Sequence, residues 1–273
     1  MSRGGVPLRA AAEVLSNQPA GGCNWRLLLR VPGWPGARPG QFAMLSPGAR
    51  AACERWDPLL PRPMAIYRER AYSAETEIEI LYKVTGRGTA LLAEARVDQS
   101  VGVVGPLGRS FPLPAAGEDA LLVGGGTGIA SLYALASLSV QRGPTAVFLG
   151  ARAAEDLMGL DDFRAIPELR VEVATEDGGA GERGLVTQPF ERALASSPRA
   201  AVYACGPTPM MRAVAESAAK AGQRCFVSLE NSMACGFGVC LGCAVPQRDG
   251  VFSLVCREGP VFAADAVDWS GLA

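Results

Sequence analysis

The hydrophobic pattern changes rhythm twice along the 273 residues. Residues 1–113 carry short apolar runs broken by proline and glycine: "WRLLLRV" (25–31), "QFAML" (41–45), "MAIYR" (64–68), "EIEILYKV" (77–84) and "SVGVVGPLG" (100–108). Polar and apolar residues alternate through 77–84, the period of a strand with one buried face. Several such strands between Pro/Gly turns predict a small antiparallel β-barrel. One helix, "TALLAEAR" (89–96), interrupts them, with Thr89 near its N-terminus.

From 114 to 228 the runs become continuously apolar: "ALLVGG" (120–125), "TAVFLG" (145–150), "LRVEVATE" (169–176), "AAVYACG" (200–206) and "CFVSLE" (225–230). Helical segments are expected at 129–141 and 208–222. In the second, Thr208 is placed to cap, Pro209 suits the first turn and Gly222 the end. Strands alternating with helices predict βαβ units and a parallel sheet. Residues 229–273 show little periodicity. The expected division is a barrel at 1–113, an α/β unit at 114–228 and a small cysteine-rich unit at 229–273.

Composition narrows the chemistry. Hydrophobic residues at 49% and charged ones at 19% support a packed core. A net charge of −1 without a basic run argues against a nucleic-acid partner. No apolar stretch reaches bilayer length, and the first 22 residues lack the apolar core of a signal peptide. A cytoplasmic location is the expectation, a compartment where disulfides rarely persist. The chain has no histidine. That removes Ser-His-Asp and Cys-His catalysis, Rieske ligation and every His-containing zinc site. No side chain is assigned as a catalytic acid, base or nucleophile.

Glycine-rich turns fall where strands end. "GGGTGIA" (124–130) follows an apolar strand and opens a helix, where unpaired N–H groups receive a phosphate and glycines let it approach. "CGPTPMM" (205–211) ends a later strand, which puts Cys205 at the crevice side of the sheet. Without a histidine, Cys205 is expected to make contact beside a nicotinamide rather than act as a nucleophile. "GRGT" (86–89) sits between a strand and a helix, and "RPMAIY" (62–67) places an arginine ahead of a strand. Both suit a pyrophosphate.

The cysteine run is the most specific feature. The spacing Cys235-x4-Cys240-x2-Cys243-x12-Cys256 matches the plant-type ferredoxin pattern for a 2Fe–2S cluster. Gly236, Gly238 and Gly242 relieve the loop and free N–H groups to face sulfur. A four-cysteine zinc site usually pairs two C-x2-C knuckles, and here only Cys240–Cys243 forms one. Zinc and disulfides stay open as alternatives. Cys23, Cys53 and Cys225 read as free thiols.

In the order "RPMA", "GRGT", "GGGTGIA", "CGPTPMM", roughly the first 230 residues resemble the ferredoxin–NADP reductase superfamily. With "PGQFAML", "DPLLPRPMAIY", "LYKVTGRGT", "GPLG", "TEDGGAGERGLVT" and above all "SMACGFGVCLGCAVP", the whole chain resembles the electron-transfer subunits of class B dihydroorotate dehydrogenases. The resemblance implies FAD held at Arg62, Pro63, Met64, Ala65, Leu81, Tyr82, Lys83, Gly88 and Thr89. It implies NAD at Gly124, Gly125, Gly126, Thr127, Gly128, Cys205, Gly206 and Pro207, and the 2Fe–2S cluster at Cys235, Cys240, Cys243 and Cys256. It also implies an FMN-containing catalytic partner that interconverts dihydroorotate and orotate in pyrimidine (UMP) biosynthesis, with two copies of each chain. A flavin belongs between a nicotinamide, which exchanges a hydride, and a cluster, which exchanges single electrons.

Some features depart from the family. Ala65 stands where Ser or Thr is usual, which removes one hydroxyl from the flavin site, and Ser131 stands where proline usually follows "GIA". Residues up to about Gly22 carry no informative match. Glu176 and Asp177 favour NAD over NADP by repelling a 2′-phosphate, while Arg152 pulls the other way. An electron-transfer subunit of a hydrogenase or of a ferredoxin:NAD(P) transhydrogenase would share every motif. A nucleotide- and metal-binding regulator, or a relative that has lost FAD, would share many.

Overall fold

A computed structural model of the chain describes residues 6–46, 60–72 and 75–272, so Cys53 lies outside the described residues. The first part forms β1 (Leu8–Pro19), β2 (Asn24–Pro32), β3 (Phe42–Ser46), β4 (Arg62–Ala65), β5 (Arg68–Ala71), β6 (Glu75–Lys83), helix α1 (Arg87–Ala93) and β7 (Ser100–Leu107). They pair antiparallel in one sheet, in the order β4-β3-β7-β1-β2-β6-β5. Leu27, Leu29 and Val31 point inward with Ile78 and Ile80 into one core, as the alternation requires.

The sheet curls until its ends face each other. The Ile66 N–H donates to the carbonyl of Gln41, and the next N–H, of Tyr67, donates to Glu79 on β6. The chain thus changes partner at residues 66–67. The single strand expected at 64–68 is therefore two strands at opposite ends of the sheet. The longest strand, β1, was not expected: three consecutive alanines at 10–12 blur its alternation. Asn17 on β1 donates to the carbonyls of Leu92 at 2.8 Å and Ala95 at 3.1 Å, which satisfies the open end of α1.

The second part forms β8 (Asp119–Gly125), α2 (Tyr133–Ser139), β9 (Thr145–Ala151), α3 (Leu160–Arg164), β10 (Leu169–Thr175), β11 (Glu182–Arg183), α4 (Thr187–Ser196), β12 (Ala200–Cys205), α5 (Thr208–Lys220) and β13 (Cys225–Ser228). These strands are parallel in the order β11-β10-β9-β8-β12-β13. Along β12, Val202 and Ala204 enter one apolar cluster, while Tyr203 and Cys205 enter the one on the other face. Burial on both faces explains the continuous apolar runs.

Three helix expectations need correction. The segment at 129–141 starts as a 3₁₀ turn, Gly126–Leu132, and becomes α-helical only in α2. Thr208 does not cap α5: it is the first helical residue, Pro207 holds the cap position, and no side chain caps the end. Gly222 does follow the helix, at φ +70°. Helices α3 and α4 were not expected, since α3 has too few residues to show a period.

The last part is more regular than its sequence suggests. β14 (Ala244–Pro246) and β15 (Phe252–Leu254) form a hairpin, and β16 (Val261–Ala263) adds antiparallel to β13 at the edge of the parallel sheet.

The barrel and the α/β sheet are tied through α3. Asp162 accepts from Arg26 at 2.5 Å, Arg68 at 2.9 Å and the Tyr67 hydroxyl at 2.9 Å. Arg68 also lies over the ring of Tyr133, and Arg26 pairs with Glu79. Burial pushes the Asp162 carboxyl up, but the hydrogen bonds from Arg26, Arg68 and Tyr67 outweigh it and hold the pKa below the usual range. A depressed folded pKa means the tie is fully present above the unfolded value of about 4 and is lost as pH falls through the folded one. Asp162→Ala leaves two guanidiniums short of a partner, and we expect it to cost about 2 kcal/mol. A urea titration at pH 7 checks this, and the difference between variant and native should shrink at acid pH.

Candidate functional site

Two sequence motifs meet at the barrel edge. Arg62, the first residue of β4, lies over the turn before α1: a Cβ added at Gly88 would come within 2.6 Å of its Nε. Only glycine lets the guanidinium rest there. Thr89 ties the turn to the start of α1, for its hydroxyl donates to the Gly86 carbonyl at 2.9 Å and accepts from the N–H groups of Thr85 at 2.9 Å and Gly86 at 3.2 Å.

Beside this pair opens a cleft of about 490 Å³, lined by Arg62, Pro63, Met64, Ala65, Leu81, Tyr82, Lys83 and Thr89. Leu81 and Tyr82 are 4% and 2% exposed, so they present strand edge more than side chain. Ala65 brings no hydroxyl to this cleft, but Thr85, Thr127, Ser131 and Ser228 line it. An arginine on a glycine turn and a partly apolar slot with hydroxyls fit a flavin dinucleotide.

A second cleft of about 450 Å³ lies outside the carboxyl ends of the parallel strands. Gly125, Gly126 and Pro207 line it with Arg152 and Glu176. The glycines here are required by contact. A Cβ at Gly128 would lie 2.4 Å from the backbone carbonyl carbon of Cys205, and one at Gly206 would lie 2.8 Å from the Gly125 carbonyl oxygen. The "GGGTGIA" and "CGPTPMM" turns thus press backbone to backbone. Gly124 is buried under Ile129. Thr127 lines the first cleft rather than this one. A glycine turn at the switch point of a parallel sheet fits a nicotinamide dinucleotide.

Cys205 reaches neither cleft. It is fully buried; desolvation and the charge of Glu230 push its thiol up to about 12, against hydrogen bonds with Ser131 and Ser228. It is a packed floor residue, not a nucleophile. Glu230 and Ser228 carry no sequence signal, since no local spacing links them to the cleft, and Ser131 stands out in the sequence only as a departure from the family's proline. Glu230 keeps exposed surface because it faces the open cleft, but protein surrounds its other sides. Desolvation holds its carboxyl above the usual range.

The four sulfurs fall into two pairs. Cys243 and Cys256 are buried with Sγ atoms 3.3 Å apart, and Cys235 is hydrogen-bonded to Cys240. Burial opposes the Cys235 thiolate, but the N–H groups of Cys240, Phe237 and Val239 bring its pKa down to about 6. The Gly238 N–H serves Cys256, whose thiol burial and Cys243 push up to about 12. Among the described residues no three His, Cys, Asp or Glu side chains converge on a single ion. Two thiol pairs with N–H groups turned toward sulfur fit a two-iron cluster better than one tetrahedral zinc. Cys23 and Cys225 are free thiols outside this group.

Fold and site together define a nicotinamide-dependent flavoprotein reductase with an attached iron–sulfur domain, carrying FAD, NAD and a 2Fe–2S cluster. The oxidoreductase NAD-binding domain profile matches residues 122–216, and that of the iron–sulfur cluster binding domain of dihydroorotate dehydrogenase B matches residues 230–268. Over 84% of this chain and 86% of its own length, the electron transfer subunit of dihydroorotate dehydrogenase B (NAD(+)) of Bacillus caldolyticus is 40% identical. The homolog of that subunit in Aquifex aeolicus is 38% identical over 94% of this chain and 97% of its own. A solved NADH-dependent reduced ferredoxin–NADP oxidoreductase superposes with a TM-score of 0.82 at 28% identity, covering 98% of this chain and 92% of that one. The chain belongs to the family of dihydroorotate dehydrogenase B electron-transfer subunits.

Glu176 stands in the nucleotide cleft beside Arg152. We expect Glu176→Gln to improve NADPH relative to NADH by about tenfold, roughly one lost charge repulsion. Steady-state kcat/KM for both nucleotides checks this.

Proposed function

We propose that this chain passes electrons between NAD and the catalytic subunit of a dihydroorotate dehydrogenase, in the cytoplasm and in pyrimidine biosynthesis. The observation that carries the reading is the wall of the flavin cleft, to which all three parts of the chain contribute. The barrel gives Arg62 and Met64, the 3₁₀ turn gives Thr127 and Ser131, and the cysteine-bearing part gives Met233 and Pro260. Lys83 lines both clefts and pairs with Asp156 at 2.6 Å.

A bound flavin supplies the exchange between hydride and single-electron chemistry. The chain's residues bind and orient. Arg62 and the N–H groups of Gly88 and Thr89 would hold the flavin pyrophosphate. Gly125, Gly126 and Pro207 admit the nicotinamide dinucleotide to the backbone. Buried Cys205 packs its backbone against Gly128, under the glycine turn. Cys235, Cys240, Cys243 and Cys256 hold the cluster, and Gly236 seats its loop on the barrel: a Cβ there would lie 2.5 Å from Met44 Cγ.

The functional units are 1–113 for FAD, 114–228 for NAD and 229–273 for the cluster. The partner carries FMN and assembles with this chain two by two. Co-expression with the catalytic subunit from the same genome, followed by purification and cofactor analysis, tests the reading. FAD and acid-labile sulfide on this chain, FMN on the partner and dihydroorotate-dependent NAD+ reduction are expected. Zinc without labile sulfide, or a hydrogenase or transhydrogenase partner instead, contradicts it.

A further inference from the structure

The two faces of β3 have different partners. Ala43 and Leu45 enter the barrel core, while Phe42 and Met44 enter the apolar cluster that also holds Cys243 and Cys256. Phe42 lines the flavin cleft. Met44 lies under the cysteine loop, where a Cβ at Gly236 would come within 2.5 Å of its Cγ. One face of one strand thus runs from the cleft to the loop that carries the sulfurs. A second glycine closes the seam beside it. A Cβ at Gly108, just after β7, would lie 2.5 Å from Pro260 Cδ, 2.9 Å from Phe42 Cε1 and 3.0 Å from the Gly259 carbonyl oxygen. Pro260 also lines the flavin cleft. Backbone hydrogen bonds hold it in place: the Arg109 N–H donates to the Gly259 carbonyl at 2.6 Å, and the Leu229 N–H to the Pro260 carbonyl at 2.9 Å. Gly236 and Gly108 have φ of +85° and +78°, so conformation and contact both require glycine there.

The geometry points to this seam as an electron spacer: Phe42 and Met44, clamped by Gly108 and Gly236, set the gap between flavin and cluster and with it the rate at which single electrons cross. These four are positioning residues, and none exchanges an electron or proton itself. The inference rests on the reading of this chain as an electron carrier between flavin and cluster, and adds which residues govern the crossing. NADH supplies the electrons as hydride. Each crossing oxidises the flavin by one electron and reduces the cluster by one, and the proton the flavin gives up leaves to the solvent of the open cleft. Electron transfer slows steeply as the gap widens, and a misplacement of about 1 Å can cost a reaction ~100-fold.

The test uses the purified holo-chain. Laser-flash photoreduction places one electron on the flavin, so that hydride transfer does not limit what is seen, and absorbance follows the electron to the cluster. Gly108→Ala adds a methyl group to the seam. Gly117→Ala is its control, because Gly117 has φ of +77° but nothing within 4 Å of an added Cβ. Met44→Phe widens the same seam without touching a glycine, and carries the test if Gly108→Ala does not fold. The expected result is a flavin-to-cluster rate at least about tenfold slower in Gly108→Ala and in Met44→Phe, and a native rate in Gly117→Ala. Flavin, iron and labile sulfide per chain, and the midpoint potentials of both groups, should stay native, which separates a wider gap from a lost cofactor or an altered driving force. A native rate in the folded seam variants, or a slowing accompanied by shifted potentials, overturns the spacer but leaves the electron-transfer reading standing. A native chain whose flavin electron never reaches the cluster overturns both.

Discussion

Cys243→Ser should lose the cluster and slow electron transfer to the partner by at least ~100-fold, beyond the usual effect of altering an outer partner of the sulfurs. Cys243 is 1% exposed and its sulfur lies 3.3 Å from that of Cys256. It is thus the buried anchor of one sulfur pair, and serine, with its shorter bond and harder oxygen, is a poor substitute for thiolate. The flavin cleft is lined by residues of all three parts but not by Cys243 itself. NADH should therefore still bleach the flavin in the variant. Iron and labile-sulfide content, with stopped-flow reduction by NADH, separates the two halves of the path. A variant that keeps both the cluster and partner-linked turnover would show that Cys243 is not a ligand.

The second large effect is expected at Gly128. A methyl group there would lie 2.4 Å from both the carbonyl carbon and the oxygen of Cys205, and 2.5 Å from the Gly206 nitrogen. These are backbone atoms at the end of a central strand, so nothing nearby yields by changing rotamer. Overpacking of this kind costs about 3 kcal/mol, at the upper end of its usual range. Gly128→Ala should lower the thermal midpoint by several degrees and weaken NADH binding at least about tenfold. FAD should remain bound, because Arg62, Gly88 and Thr89 lie on the barrel. A native NADH titration and thermal midpoint would contradict the close approach.

Local chemistry was legible in the sequence where one short stretch carries it. The glycine turn after β8 and the x4–x2–x12 cysteine spacing belong to this class. The alternation in β6 marks the strand, but not its burial: residues 78–82 are buried on both faces, with Ile78 and Ile80 in one core and Leu81 in another. Pairings across the fold were not legible. Nothing in "RPMAIY" shows that the chain leaves β3 for β6 at Ile66. Nothing in three successive alanines shows that β1 sits between β7 and β2. Arg62 and Gly88 were each a weak signal. The structure makes them one feature, because the guanidinium occupies the space a side chain at 88 would need. The cysteines read as a set of four but stand as two pairs, a distinction set by the loop's N–H groups rather than by spacing. Ser228 ends the last parallel strand and Glu230 follows two residues on; both line the cleft because β13 runs beside β12. Thr208 shows the opposite error: a good capping residue by type, displaced because Pro207 takes the cap position.

The proposed function requires electrons to move through this one chain. Anaerobic titration of the purified chain with NADH, followed by visible absorbance and electron paramagnetic resonance, tests it directly. Loss of flavin absorbance and the signal of one reduced 2Fe–2S cluster per chain are expected. Bleached flavin beside a cluster that stays oxidised, or a chain without flavin and labile sulfide, would contradict it.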